Sequence, residues 1–207
     1  MKIFKALLVF ALFVSFVGCA EKVTVFKPKA PVANVSMTQL ELAELITDSV
    51  DVGKLMASPH RQTVALPARF PSVESWIFHA PEAAQIRTSA NRTAITTFIY
   101  LNLAGTDFST GKPWNPQKEI SRGEFAQILL DIAMRLTNSK VLANEFKGQR
   151  SPFSDVTEGH SAFHAVMVVS SRGLMKAFDK KTGKFAPNHI IKVNAAKQAF
   201  SELNKLM

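Results

Sequence analysis

A short phrase occurs twice in this chain. Phe78-His79-Ala80 returns as Phe163-His164-Ala165, 85 residues later. Thr110-Gly111-Lys112, Pro116 and Ile120 return as Thr182-Gly183-Lys184, Pro187 and Ile191, at offsets of 72, 71 and 71 residues. A copied supersecondary unit cannot bury its apolar face alone, so the copies must pack on one another. Such an architecture points to a binding or scaffolding module before it points to a single-site enzyme.

Residues 1–18 stand apart from the repeat. Lys2 and Lys5 form a positive start, Ala6 to Val17 are apolar except Ser15, and Gly18 precedes Cys19, the single cysteine. This is the pattern of a secretory signal, and its apolar run is short for a membrane span. Residues 19–35 hold Lys22, Lys27, Lys29, Pro28 and Pro31 with no persistent period, which reads as an extended tether. The remaining residues, 36–207, number about 170, enough for one domain with a sizeable core.

With no second cysteine, the domain cannot draw stability from an internal disulfide. The formal charge is +9, or +7 without Lys2 and Lys5. An exported basic protein meets anionic envelope polymers and lipid heads rather than nucleic acid. The aromatic residues include 16 Phe and one Tyr, a composition suited to core filling more than base stacking.

The periodicity is helical. Thr38 and Glu41 form a capping box for a helix over 37–50, with Leu42, Leu45 and Ile46 as its apolar stripe. Ser121 and Glu124 form a second box, opening the clearest helix, with Phe125, Ile128, Leu129, Ile132 and Leu136 on one face. Further helices are expected over 76–84, 88–103, 160–172 and 193–206. Gly173 is expected in a left-handed conformation after the third of these stretches. Residues 51–75, 105–119, 138–159 and 174–190 read as loops, with at most short strands beside the Thr-Gly-Lys segments. The fold class is mainly α.

Two stretches resemble known families. Phe16-Val17-Gly18-Cys19 is similar to a bacterial lipoprotein processing site. That resemblance implies cleavage before Cys19, acylation of its thiol and attachment to a lipid bilayer. Ala20, where an aspartate would imply inner-membrane retention, implies an outer membrane facing the periplasm, or the cell membrane of a Gram-positive organism.

Pro116 to Ala126, with its core Ile120-Ser121-Arg122-Gly123-Glu124, resembles the signature of S-layer homology domains. Phe153-Ser154-Asp155-Val156, Gly159-His160-Ser161-Ala162-Phe163, Gly173-Leu174-Met175 and Gly183-Lys184-Phe185-Ala186-Pro187 continue that resemblance in order. Phe70-Pro71-Ser72-Val73, Trp76 to Ala80 and Met37 to Ala43 are looser copies, making about two and a half motifs. The resemblance implies a pseudo-threefold spindle. Helices near 37–50, 121–137 and 192–206 would form its central bundle, with the others as prongs.

It also implies binding of peptidoglycan or wall-linked polysaccharide through an Arg, a Trp, an Asp and backbone around a Gly. The candidates are Arg122, Gly123, Glu124, Trp76 and Asp155. Each has a plainer reading. Ser121 and Glu124 are accounted for by capping. Arg122 sits in a first helical turn, where the dipole disfavours a cation, so it clamps an anion, or else is solvated or makes an intramolecular contact. Trp76 either stacks on sugar or anchors a prong, and Asp155 orients Arg122, accepts from a sugar hydroxyl or forms a turn by bonding nearby backbone. If Arg122 is a free binding residue, Arg122→Ala weakens binding and leaves the thermal midpoint nearly unchanged.

The copies differ at this site. Arg122 corresponds to Gln39 and Val193, Glu124 to Ala195 in the last copy, and the family's Trp to Ser161. His160 and His164 lie one helical turn apart without further ligands, so no metal is expected. Gly111, Lys112 and Lys184 lack the spacing of a phosphate loop, and no cofactor is expected. No paired acid and nucleophile stands at useful spacing, so no catalysis is expected. The leading expectation is a non-catalytic envelope lipoprotein that tethers a membrane to the wall. The alternative is a scaffold subunit that contacts other envelope proteins.

Overall fold

Three short extended segments, 35–38, 118–121 and 189–192, meet around one point, and each leads directly into a helix. Met37 N–H donates to Ile191 O (2.9 Å), Ile191 N–H to Ile120 O (2.9 Å), and Ile120 N–H to Met37 O (3.0 Å). The three bonds close a ring. A second set closes beside it: Gln39 N–H to Lys118 O (2.9 Å), Arg122 N–H to His189 O (2.8 Å), and Val193 N–H to Val35 O (3.0 Å). Met37, Ile120 and Ile191 are buried at the hub. Backbone groups that would otherwise be orphaned in the core are thus satisfied by one another. Among the described residues, Met37, Ile120 and Ile191 are thus related by a pseudo-threefold axis.

The computed structural model describes residues 35–58, 89–103 and 115–206. All of them fall in the compact unit Val32–Met207. The expected signal, Cys19, nearly all of the expected tether, Trp76 and the expected helix over 76–84 lie outside the described residues.

From the first hub segment runs α1 (Gln39–Ser49), followed by α2 (Val52–Ala57). The Thr38 hydroxyl accepts from Glu41 N–H, and the Glu41 carboxylate accepts from Thr38 N–H, as the capping box predicts. The segment after Ser49 was expected to be loop. Asp51 instead caps a short helix by accepting from Lys54 N–H (3.1 Å), and that helix buries Leu55. Two turns are too short to show an apolar period.

Next comes α3 (Ser89–Tyr100), whose Ala94, Ile95, Phe98 and Ile99 are buried, and which packs on α1. From the second hub segment runs α4 (Arg122–Thr137), closed by Asn138 in the left-handed region (φ 52°). Most of its predicted face is in the core: Phe125, Ile128, Leu129 and Ile132 are buried, and Leu136 is partly buried against them.

The stretch 138–159, expected to be loop, holds one 3-10 turn at Val141–Ala143. Beyond it, α5 (Phe163–Ser171) is apolar nearly all round and packs on α4. Gly173 follows with φ 71°, the left-handed residue expected there. From the third hub segment runs α6 (Val193–Lys205), burying Ala196, Ala199, Phe200 and Leu203. Phe200 meets Phe125 of α4 edge-on, with centroids 6.0 Å apart. Helices this short are marginal alone, so the shared core holds them. Among the described residues extended pairing is limited to isolated bridges, and the class is mainly α.

Candidate functional site

The ring aligns three corners of the spindle. Gln39, Arg122 and Val193 occupy equivalent places, one residue past each helix cap, and all three are buried, at 5%, 8% and 8% exposure. The slot is therefore interior in every copy, and only the middle copy fills it with a cation.

Arg122 reaches across to the loop that follows α5. Its Nε donates to Phe185 O (2.8 Å) and its Nη2 to Lys176 O (2.7 Å). Its guanidinium lies over the Phe185 ring, 4.6 Å from the centroid, with the Phe178 ring 5.7 Å away. Burial pushes the guanidinium below its usual range, and the Asp155 charge pulls it back up. Arginine suits this slot because its rigid fork serves two carbonyls at once and its flat face rests on aromatic rings.

Asp155 holds the same loop from the other side. Its Oδ1 accepts from Phe185 N–H (2.9 Å) and its Oδ2 from Ala186 N–H (2.7 Å). Ala186 sits at φ 56°, a conformation that costs a non-glycine residue energy. The two charge-assisted bonds offset that cost. The bonds of Asp155 reach 30 and 31 residues along the chain and so do not make the local turn expected; carboxylate and guanidinium together fix Phe185 and Ala186.

The other candidates face elsewhere. Gly123 N–H donates to Pro187 O (2.7 Å). A Cβ there would stand 3.1 Å from Pro187 O and 3.3 Å from Pro187 Cβ, so an added methyl would require Pro187 to shift by a few tenths of an ångström. Glu124 completes the box with Ser121 and receives Lys118 Nζ (2.8 Å). Burial alone pushes its carboxyl up, but bonds from Lys118 and Ser121 and the Lys118 charge outweigh it, leaving it below its ordinary range.

Two cavities flank this corner. One, of about 190 Å³, is lined by Arg122, Met175, Lys176, Phe178, Ile191 and Ala195, among others. The other, of about 320 Å³ and more polar, is lined by Gly123, Glu124, Gln127, His160, Ser161 and Asn188, among others. The sequence candidates are thus divided. Arg122 belongs to the first cavity and Gly123 and Glu124 to the second, Asp155 lines neither and instead holds the loop at Phe185 and Ala186, and Trp76 lies outside the described residues.

His160 and His164 do not form a ligand pair with a third group: no cluster of three metal-ligating side chains occurs among the described residues. His160 Nδ1 accepts from Ala162 N–H (3.0 Å), which anchors the start of α5. Burial of Arg122 also changes one expectation. Its removal strands two carbonyls and cannot leave the thermal midpoint unchanged. Sequence reasoning missed the loop side of the site, Lys176, Phe178 and Phe185. The available signal was an apolar residue, Phe178, standing among four lysines.

No curated protein and no solved structure matches the chain. A family model does match, over the stretch that carries Asp155, α5, the Arg122-bound loop and the third hub segment. Residues 152–192 of this chain match the model of the S-layer homology domain.

Proposed function

We propose that this protein is an envelope lipoprotein, acylated at Cys19, whose spindle binds wall polysaccharide non-covalently and tethers a membrane to the wall. S-layer homology domains are non-catalytic modules of the cell surface that typically attach to wall polymers. The observation that carries the reading is the corner at Arg122. Here the matched stretch folds against α4, and a cavity opens beside a buried guanidinium. The net positive charge favours an anionic polymer. Among the described residues no helix is long and apolar enough to cross a membrane, so attachment rests on acylation in this reading. The outer membrane, facing the periplasm, is the expected site.

The test is co-sedimentation of the full chain, in detergent, with purified wall sacculi. It should pellet well above a control protein of equal charge, and pelleting no better than the control would reject the proposal. The second reading, a scaffold for other envelope proteins, is favoured by Gln39 and Val193, which leave one corner with a guanidinium. A partner that stays crosslinked after the wall has been digested would establish it.

A further inference from the structure

Phe178 is out of place for its residue type. It is 53% exposed, while Phe98, Phe125, Phe163, Phe185 and Phe200 are fully buried. Exposing half of a phenylalanine forgoes part of the free energy its burial would supply. The loop nevertheless holds it in place. Phe178 N–H and Asp179 N–H both donate to Lys184 O (2.9 and 3.2 Å), and Lys184 N–H returns to Asp179 O (3.2 Å). Asp179 ties the tip by accepting from Lys181 N–H (2.8 Å) and from the Thr182 hydroxyl (2.7 Å), and Gly183 (φ 64°) makes the turn. His189 leans on the ring at a centroid distance of 4.4 Å and a tilt of 51°. The Arg122 bond to Lys176 O anchors the loop's base.

A rigidly displayed aromatic at the rim of a cavity is preorganised for contact, because little is left to order on binding. The 190 Å³ cavity is smaller than the roughly 300 Å³ of a pocket for a whole drug-sized ligand, so it admits one substituent or ring edge. The rest of a polymer must cross the surface, and Phe178 is the surface it meets. The ring offers a negative π-face, which attracts the slightly positive C–H edge of a pyranose. Lys176, Lys180, Lys181 and Lys184 are exposed around it. Ala195, which also lines the cavity, stands where the other two helices carry Glu41 and Glu124, and the lining holds no carboxylate.

The geometry points to Phe178 as a stacking platform for a pyranose unit of the bound polymer, and so as the residue that selects a sugar ring over other anionic ligands. The inference rests on the wall-binding reading and adds a residue to it. The test compares Phe178→Trp, Phe178→Leu and Phe178→Ala in the full chain, by co-sedimentation with sacculi and by thermal midpoint. Stacking predicts that Trp retains binding, while Leu and Ala each weaken it on the order of tenfold, the scale of losing one aromatic stacking contact. Midpoints should stay close to the parent's. If the parent pellets and all three variants pellet equally, or if Leu binds as well as Trp, the platform is wrong while wall binding stands. If the parent itself fails to pellet, both are wrong.

Discussion

The Arg122 and Val193 corners share a backbone and differ in what their side chains hold. Each donates its helix-start N–H to a carbonyl of the next hub segment, at 2.8 and 3.0 Å. Each buries the equivalent side chain to 8% exposure. At Val193 the slot is apolar. At Arg122 it contains a guanidinium bridging two loop carbonyls, backed by Asp155 and rimmed by Phe178. The slot itself is therefore a requirement of the fold, and the cation is an addition specific to one corner. Burying a cation is costly unless its donors are met, so the loop at that corner is shaped around the arginine.

The largest way to break the comparison is to empty both slots. Arg122→Ala leaves Phe185 O and Lys176 O without their charged donor and frees the loop. It should cost about 3 kcal/mol of unfolding free energy, the scale of breaking a buried charged hydrogen-bond network. Val193→Ala removes only two methyl groups' worth of apolar burial and should cost about 1.5 kcal/mol. Urea denaturation of both variants measures the difference. Equal losses would mean that the guanidinium contributes nothing beyond packing. Arg122→Lys keeps the charge but not the fork, and should recover less than half of the loss.

The next contrast is one residue further along. Gly123 lies under Pro187, while the equivalent positions carry Leu40 and Asn194. Gly123→Ala should cost about 2 kcal/mol, as overpacking against backbone does. Asn194→Ala should be within about 0.5 kcal/mol of the parent, since Asn194 is exposed. Thermal unfolding of the pair locates the tighter corner.

The repeat and the two capping boxes made much of this legible from sequence. Thr38-Glu41 and Ser121-Glu124 are local devices, read from spacing alone, and the apolar faces of α4 and α6 follow one period. The third corner carries neither box residue, and its helix was found from Ala196, Phe200 and Leu203 instead. What stayed hidden was long-range. Nothing near Arg122 in sequence says that its partners are carbonyls 54 and 63 residues away, because any residue can present a carbonyl. The same holds for Asp155, whose partners are amides 30 and 31 residues on. Position relative to a helix dipole showed that Arg122 needed an explanation, but not which one. The α2 helix escaped for a different reason, being too short for a period to accumulate.

A smaller effect sharpens the capping difference. Ser121 accepts from Glu124 N–H (3.2 Å), whereas Lys192 begins α6 with no side-chain cap. Ser121→Ala should cost about 1 kcal/mol. The reciprocal change, Lys192→Ser, should gain roughly 0.5 kcal/mol by supplying a missing acceptor. A gain from Lys192→Ser would show that α6 is held by the core in spite of its start, in contrast to α4. If the change is neutral or destabilising, Lys192 is contributing something of its own, such as its bond to Ser36 Oγ (3.3 Å).

The smallest expected effect is one of pH. The Glu124 carboxyl is held below its ordinary value, so the folded protein binds fewer protons at this site than the unfolded chain does as acid is added. Its contribution to stability is therefore fully present above the ordinary carboxyl value of 4.5 and is lost as pH falls through the lower folded-state value. Ala195, its counterpart on α6, has no charge to lose. Glu124→Gln keeps the shape and removes the titration. The variant's stability should change less than the parent's between about pH 5 and pH 3, and the two curves should converge toward the acid end. The separation at neutral pH should be modest, because Lys118 and Glu124 are 51% and 39% exposed and water screens their pair. Parallel curves would place the acid sensitivity elsewhere and leave the cap as a purely geometric device, equal in kind to the uncapped start of α6.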